Sequence, residues 1–158
     1  MRKALRRLVL TTALLTAAVS APQPALAHDV PPQLDERVVD AINTVLPAWE
    51  GQKWAINWEK SIYDPNRPLS FIFLDAWHGT GSSPQQLLLF DHGNYLGTGT
   101  IHNVGFQRVD EATQDSLVVN YGTPGASFSD VQYNHPVRYH LVDGRIEMTG
   151  VIPGHENG

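Results

Sequence analysis

The residues with chemistry to offer are seven histidines, a serine pair, scattered carboxylates and a crowd of aromatic rings; cysteine is absent. A metal centre needs two or more histidines on one face within short reach. His135 and His140 are five positions apart, an odd spacing that in a strand sends them to opposite faces. A tight hairpin with His92-Gly93 as its turn would pair Phe90 with Tyr95 and carry His102 back towards Ser83, well away from His92. Gly154-His155-Glu156 lacks the second histidine of a zinc-protease helix. The sequence therefore offers no metal site.

Serine chemistry has one arrangement to consider. Gly81-Ser82-Ser83-Pro84-Gln85 is not the G-x-S-x-G elbow of a hydrolase. The hairpin register would still set Ser83 near His102, with Asp75 or Asp110 as an orienting group. The competing reading is a turn that launches the next strand. Glu59, Asp64, Asp75 and Asp91 lie among aromatic residues and could in principle pair for glycoside hydrolysis. Acidic side chains are, however, mostly solvated surface. Gly79-Thr80-Gly81 and Gly97-Thr98-Gly99 complete neither a dinucleotide fingerprint nor a P-loop, and no cofactor motif is present. Gly97 and Gly99 are expected to mark a bulge or a close backbone approach within a strand.

The aromatic residues are the most distinctive group. Trp49, Trp54, Trp58, Tyr63, Phe71, Phe73 and Trp77 fall within one short stretch. Trp54 and Trp58 share a strand face by period two. If that face packs under a helix, the indoles are core. If it is open, Trp54, Trp58 and Trp77 form a stacking platform for sugar rings or a partner protein.

These side chains must be held by elements the pattern makes legible. Leu34, Val38, Ala41, Ile42 and Val45 recur at helical spacing, which predicts a helix over 34–46, closed by Pro47. The period then changes to two around Trp54, Ile56 and Trp58. Leu69–Leu74 and Leu87–Phe90 are apolar on both faces, as central strands are. Tyr63–Asn66 reads as a turn and His78–Pro84 as a loop. Further strands are expected at Tyr95–Ile101, Ser116–Tyr121, Tyr133–Leu141 and Arg145–Thr149, with a loop over Gly122–Asp130 and a hairpin turn at Asp143-Gly144. Short connections favour antiparallel neighbours. The expected fold is α+β: an antiparallel sheet of about six or seven strands with one N-terminal helix packed on one face.

The first 27 residues read differently. Arg2, Lys3, Arg6 and Arg7 precede the apolar run Leu8–Val19, and Ala25-Leu26-Ala27 is a small-x-small cleavage site. Those are the parts of a secretory signal peptide, with the general secretory route favoured over twin-arginine export. The organisation expected is a signal peptide over 1–27, a short lead over 28–33, one globular domain over 34–153 and a tail over 154–158. No later apolar run approaches the ~20 residues of a transmembrane helix. Beyond Ala27, seven basic residues face sixteen acidic ones, a formal charge of −9. Such a surface repels phosphate backbones, which argues against a nucleic-acid partner.

Residues 63–101 carry an ordered set of motifs. Tyr63-Asp64-Pro65 leads to Pro68-Leu69-Ser70, then to Ser82-Ser83-Pro84, Leu87–Phe90 and Gly93-Asn94-Tyr95-Leu96-Gly97-Thr98. Met148-Thr149-Gly150 and Pro153 close the chain. This order resembles the LppP/LprE lipoprotein family of actinobacterial cell envelopes, over roughly Leu34–Pro153. The resemblance implies an exported, envelope-associated domain and implies no activity or site residues. Many members carry a lipobox cysteine and a cysteine in the turn after Tyr-Asp-Pro; here there is none, and Asn66 stands in that turn. The chain is therefore expected to be secreted or envelope-associated without a lipid anchor. The function expected is a non-enzymatic module that binds an envelope protein, lipid or glycan, with a small extracytoplasmic hydrolase as the alternative.

Overall fold

The computed structural model describes residues 34–127 and 129–154. The expected signal peptide and lead lie outside the described residues, as do residues 155–158 of the tail. Helix α1 spans Glu36–Thr44, shorter at both ends than the periodicity predicts. Asp35 caps it, accepting the Arg37 N–H at 3.0 Å, and Val45 is already extended ahead of Pro47. Val38, Ala41 and Val45 are its buried stripe.

Eight strands follow: β1 Trp54–Ile62, β2 Leu69–Ala76, β3 Gln85–Asp91, β4 Asn94–Thr98, β5 Gln107–Ala112, β6 Ser116–Pro124, β7 Val131–Val142 and β8 Arg145–Thr149. They form two four-stranded antiparallel sheets, β1-β2-β3-β4 and β5-β6-β7-β8, each in chain order. The expectation of one sheet with six or seven strands is thus corrected. Among the described residues, antiparallel pairing and the single helix on one face hold; the division into two sheets and the extra strand do not follow from the pattern. Strand β5 leaves no alternating pattern in the sequence because Gln107-Arg-Val-Asp-Glu-Ala112 carries one large apolar residue and runs along an edge. The break between sheets falls after β4, where residues 99–106 leave the first sheet while staying tied to β3 by the bridge between Gln85 and Val104, by the Gly99 N–H on the Leu87 carbonyl at 2.8 Å and by the Thr100 hydroxyl on Gln86 Oε1 at 3.0 Å.

Two apolar layers account for the doubly apolar strands. Leu69, Phe71, Phe73, Leu87 and Leu89 point to the second sheet and pack with its Leu117, Val119, Tyr121, Val137 and Tyr139. Ile72, Leu74, Leu88 and Phe90 point the other way, against Val38, Ala41 and Val45 of α1. The first sheet is thus covered on both faces, which requires the continuous apolar runs of β2 and β3. Within the larger layer the Tyr121 and Tyr139 hydroxyls lie 2.6 Å apart, and Tyr139 Oη donates to the Gly99 carbonyl at 3.0 Å, joining the second sheet to the end of the first.

Both predicted hairpins form. Phe90 pairs with Tyr95 across His92 (φ 46°) and Gly93 (φ 77°). Val142 pairs with Arg145 across Asp143 (φ 50°) and Gly144 (φ 73°). Positive φ at both central residues is the turn whose twist suits paired strands. Leu89 pairs with Gly97 while Phe90 pairs with Tyr95, so a bulge sits at Leu96. A Cβ on Gly99 would lie 2.7 Å from Leu87 Cδ2, so this backbone passes against the core side chain.

Candidate functional site

A second irregularity, in β1, builds the site. Asn57 pairs with Phe73 and Ile62 with Phe71, so β1 takes more residues than its partner over this stretch. The excess is a wide bulge over residues 58–61. Ser61 Oγ closes it, donating to the Asn57 carbonyl at 2.6 Å and accepting the Phe73 N–H at 2.9 Å. The Lys60 N–H donates to Asn57 Oδ1 at 3.2 Å. Lys60 Nζ then reaches across to the second sheet and donates to the Gln107 carbonyl at 2.9 Å.

From there a chain of hydrogen bonds returns to its start. The Gln107 N–H donates to Gln85 Oε1 at 2.9 Å, and Gln85 Nε2 donates to Asp75 Oδ1 at 2.6 Å. Asn57 Nδ2 donates to Asp75 Oδ2 at 2.7 Å. Lys60, Gln107, Gln85, Asp75 and Asn57 therefore close a ring that crosses β1, β2, β3 and β5. Gln107 is 1% exposed. Its Nε2 donates to the carbonyls of Val104 at 2.7 Å and Gln85 at 3.2 Å, which fixes the orientation of the amide. Its Oε1 is buried and has no donor among the described residues. Burial lowers the pKa of Lys60, and the Asp75 carboxylate acts in the opposite sense.

The ring borders a cavity of about 390 Å³ at the junction of the sheets. Its wall includes Lys60, Asp75, Gln85, Gln107, Phe106 and Tyr133, with the Gly79–Gly81 turn and Ser83 at the side. Arg108 lies over the Tyr133 ring at 4.4 Å from its centroid and is itself bonded to Asp110 at 2.8 Å. Phe106 has φ 52°, a strained backbone for a bulky residue, and its carbonyl accepts the Gly122 N–H at 2.8 Å. A larger cleft of about 580 Å³ lies between the end of α1 and residues 98–103. It is lined by Val45, Leu46, Ile101 and His102 among others and brings no comparable set of charged groups together.

The residues singled out by sequence are dispersed. Ser83 borders the ring cavity, whereas His102 lines the cleft under α1. Ser83 Oγ accepts the Thr80 N–H at 2.7 Å, the turn role that competed with a nucleophile. Both oxygens of Asp75 are taken by amides, and Asp110 is held by Arg108 and Asn120. Asp64 accepts its own turn's Asn66 N–H at 2.8 Å, and Asp91 pairs with His92 at 2.5 Å. Glu59 is exposed on the bulge. His135 is half-buried and His140 exposed, on alternate sides of β7.

The three indoles part company. Trp54 packs against the α1 layer, with Nε1 buried and lacking a partner among the described residues. Trp58 on the bulge is 55% exposed and Trp77 is 57% exposed. Trp77 follows Ala76, the partner of Trp54, and its ring meets His78 edge-on at 4.7 Å. Lys60, Gln85 and Gln107 match no chemical motif in the sequence. A polar Gln85-Gln86 opening an otherwise apolar strand is the signal that could have marked them.

The family model described as LppP/LprE lipoprotein matches residues 61–143, from the end of β1 to the β7–β8 turn. It includes Asp75, Gln85, Gln107 and Tyr133 and begins one residue after Lys60. No curated protein and no solved structure matches the chain.

Proposed function

Because the chain belongs to the LppP/LprE lipoprotein family, we propose that it works at the cell envelope as an exported, non-catalytic binding module. The observation that carries this reading is the cavity at the sheet junction, where polar groups from four strands converge around one ammonium. Concave sites with a few fixed polar groups are where small ligands bind. Catalysis is less well supported, because Ser83 and Asp75 are already committed to the turn and the ring. Trp58 and Trp77 add exposed apolar surface of the kind recognition uses. Export rests on the leader read in residues 1–27, and release without a lipid on the lack of cysteine.

Three measurements test the proposal. The intact mass of protein secreted by an exporting host should match a chain starting at His28; a retained leader refutes export. The folded domain should co-sediment with isolated cell envelope and lose that property in the Trp58→Ala, Trp77→Ala double variant. Unchanged partition of the folded variant removes the indoles from the reading. A hydrolytic activity abolished by Ser83→Ala in folded protein would replace the binding module with the hydrolase.

A further inference from the structure

We infer that β8 is a docking edge for a second copy of this chain, whose own β8 adds antiparallel to it and joins the second sheets of the two copies into one. Among the described residues four strands lie at sheet edges: β1, β4, β5 and β8. Three of them are bulged, and in each the excess belongs to the edge strand itself: residues 58–61 of β1, Leu96 of β4 and Asp110 of β5. A bulge twists an edge and is one of the devices that keep open edges from pairing further. Strand β8 has none. Its five residues pair one for one with β7, from Arg145 on Val142 to Thr149 on Arg138.

The turn before β8 defines its free side. Asp143-Gly144 is a two-residue turn closed by Val142 and Arg145, a hydrogen-bonded pair. Alternation then directs the N–H and C=O of Arg145, Glu147 and Thr149 towards β7, and those of Ile146 and Met148 away from it. An added antiparallel strand must meet the backbone of Ile146 and Met148, which restricts a second β8 to a few registers.

Side chains choose among them. Ile146 and Met148 face inward, over a groove of about 210 Å³ between β8 and β4 that Leu89, Leu96 and Tyr139 also line. Arg145 and Glu147 face outward and are exposed. With the two-fold axis at Ile146, each Arg145 stands opposite the partner's Glu147, in the pairs where side chains approach closest. Moving the axis one residue to either side sets like charges against each other, and moving it to Met148 leaves Glu147 opposite the partner's Thr149. The register at Ile146 also places Met148 opposite the partner's Gly144, which has no side chain to crowd it. Charges on an edge discourage pairing with most strands; this order of them suits a copy of itself. A five-residue strand buries little area, so the association is weak, with Kd between ~10 μM and ~1 mM.

The test is sedimentation velocity of the protein secreted by an exporting host, from ~10 μM to ~1 mM, with amide exchange measured over the same range. A monomer–dimer equilibrium should appear. Exchange at Ile146 and Met148 should slow as concentration rises, while that at Arg145 and Glu147, already bonded to β7, changes little. Arg145→Glu and Glu147→Arg should each weaken self-association about tenfold, because both cross-strand pairs become like-charged. An equimolar mixture of the two variants should recover the native affinity in a mixed dimer, since every pair is again opposite in sign; a mere loss of structure cannot give that rescue. A chain that stays monomeric at ~1 mM overturns the proposal. Dimers whose amide protection lies elsewhere overturn the edge, and a mixture that associates no more tightly than its components overturns the register. If concentration leaves the Ile146 and Met148 amides unchanged but a peptide of alternating valine and threonine slows them, the edge takes a foreign strand and the second copy is overturned. If either variant fails to fold, exchange in the unaltered protein decides.

Discussion

Exchanging Asp75 for asparagine keeps the shape of the side chain and alters only its hydrogen-bonding capacity. The native carboxylate accepts from Gln85 Nε2 at 2.6 Å and from Asn57 Nδ2 at 2.7 Å. An asparagine offers one oxygen, so whichever way it turns, its own NH2 faces one of those two NH2 groups. One charge-assisted bond is lost and one donor is stranded; Gln85 is buried, and Asp75 and Asn57 are half-buried. Bonds to a charged group are worth ~1.5–3 kcal/mol and a stranded buried donor costs ~1–3 kcal/mol; with Asp75 part-exposed, the total is about 2–3 kcal/mol. For a domain of this size that lowers the thermal midpoint by roughly 8–12 °C. Lys60 also loses its nearby counter-charge, so Asp75→Asn combined with Lys60→Met should cost less than the two single changes added together. Chemical denaturation of the four proteins measures all of this. A loss below about 0.5 kcal/mol for Asp75→Asn, the size of an ordinary surface change, would refute the ring as a structural tie.

Three further outcomes follow from the same contacts. Tyr139→Phe leaves both the Tyr121 hydroxyl and the Gly99 carbonyl without their partner, so it should destabilise by about 2–3 kcal/mol against about 1 kcal/mol for Tyr121→Phe in equilibrium unfolding. Asp35 has its pKa held far below 3.8 by the Arg37 side chain first, then the Arg37 N–H and the Tyr63 hydroxyl. The unfolded chain therefore takes up that proton more readily, the stabilisation is present above pH ~4 and fades below it, and the gap in thermal midpoint between the native chain and Asp35→Ala should close as pH falls towards ~2. Trp54→Ala removes an indole from the α1 layer and should cost ~2–4 kcal/mol, whereas Trp58→Ala and Trp77→Ala should stay within ~0.5 kcal/mol on the same denaturation curve.

The features legible in the sequence are those that neighbours along the chain determine. Two central turn residues of positive φ set each hairpin, so Phe90 opposite Tyr95 could be read from Asp91-His92-Gly93-Asn94 alone. The helix could be read from spacing, though not its cap: Asp35 competes with Leu34 as a start, and the carboxylate decides by accepting the Arg37 N–H. The doubly apolar runs at β2 and β3 announced cover on both faces. They could not say that one cover was a helix and the other a second sheet, because a sheet and a helix present the same apolar demand to the strand beneath.

The site was illegible for a related reason. Lys60 meets the Gln107 carbonyl across 47 positions of chain, and Gln107 meets Gln85 across 22. No local period records either contact. What the sequence did record was Trp54 and Trp58 in phase on one strand; Trp54 packs in the α1 layer, whereas Trp58, at the start of the bulge over 58–61, is exposed. The same bulge brings Lys60 to the sheet junction. A strand that stayed regular would have put Lys60 in phase with Trp54, away from the second sheet. That irregularity is thus what brings the ammonium to the cavity. The ladder hydrogen bonds that β1 gives up over those residues are replaced by Ser61 Oγ and Asn57 Oδ1, side chains that hold the excess backbone in place. Removing Ser61 Oγ should therefore act on the cavity before it acts on the core, since Phe71 and Phe73 stay packed between the sheets while the bulge that carries Lys60 loses its clasp.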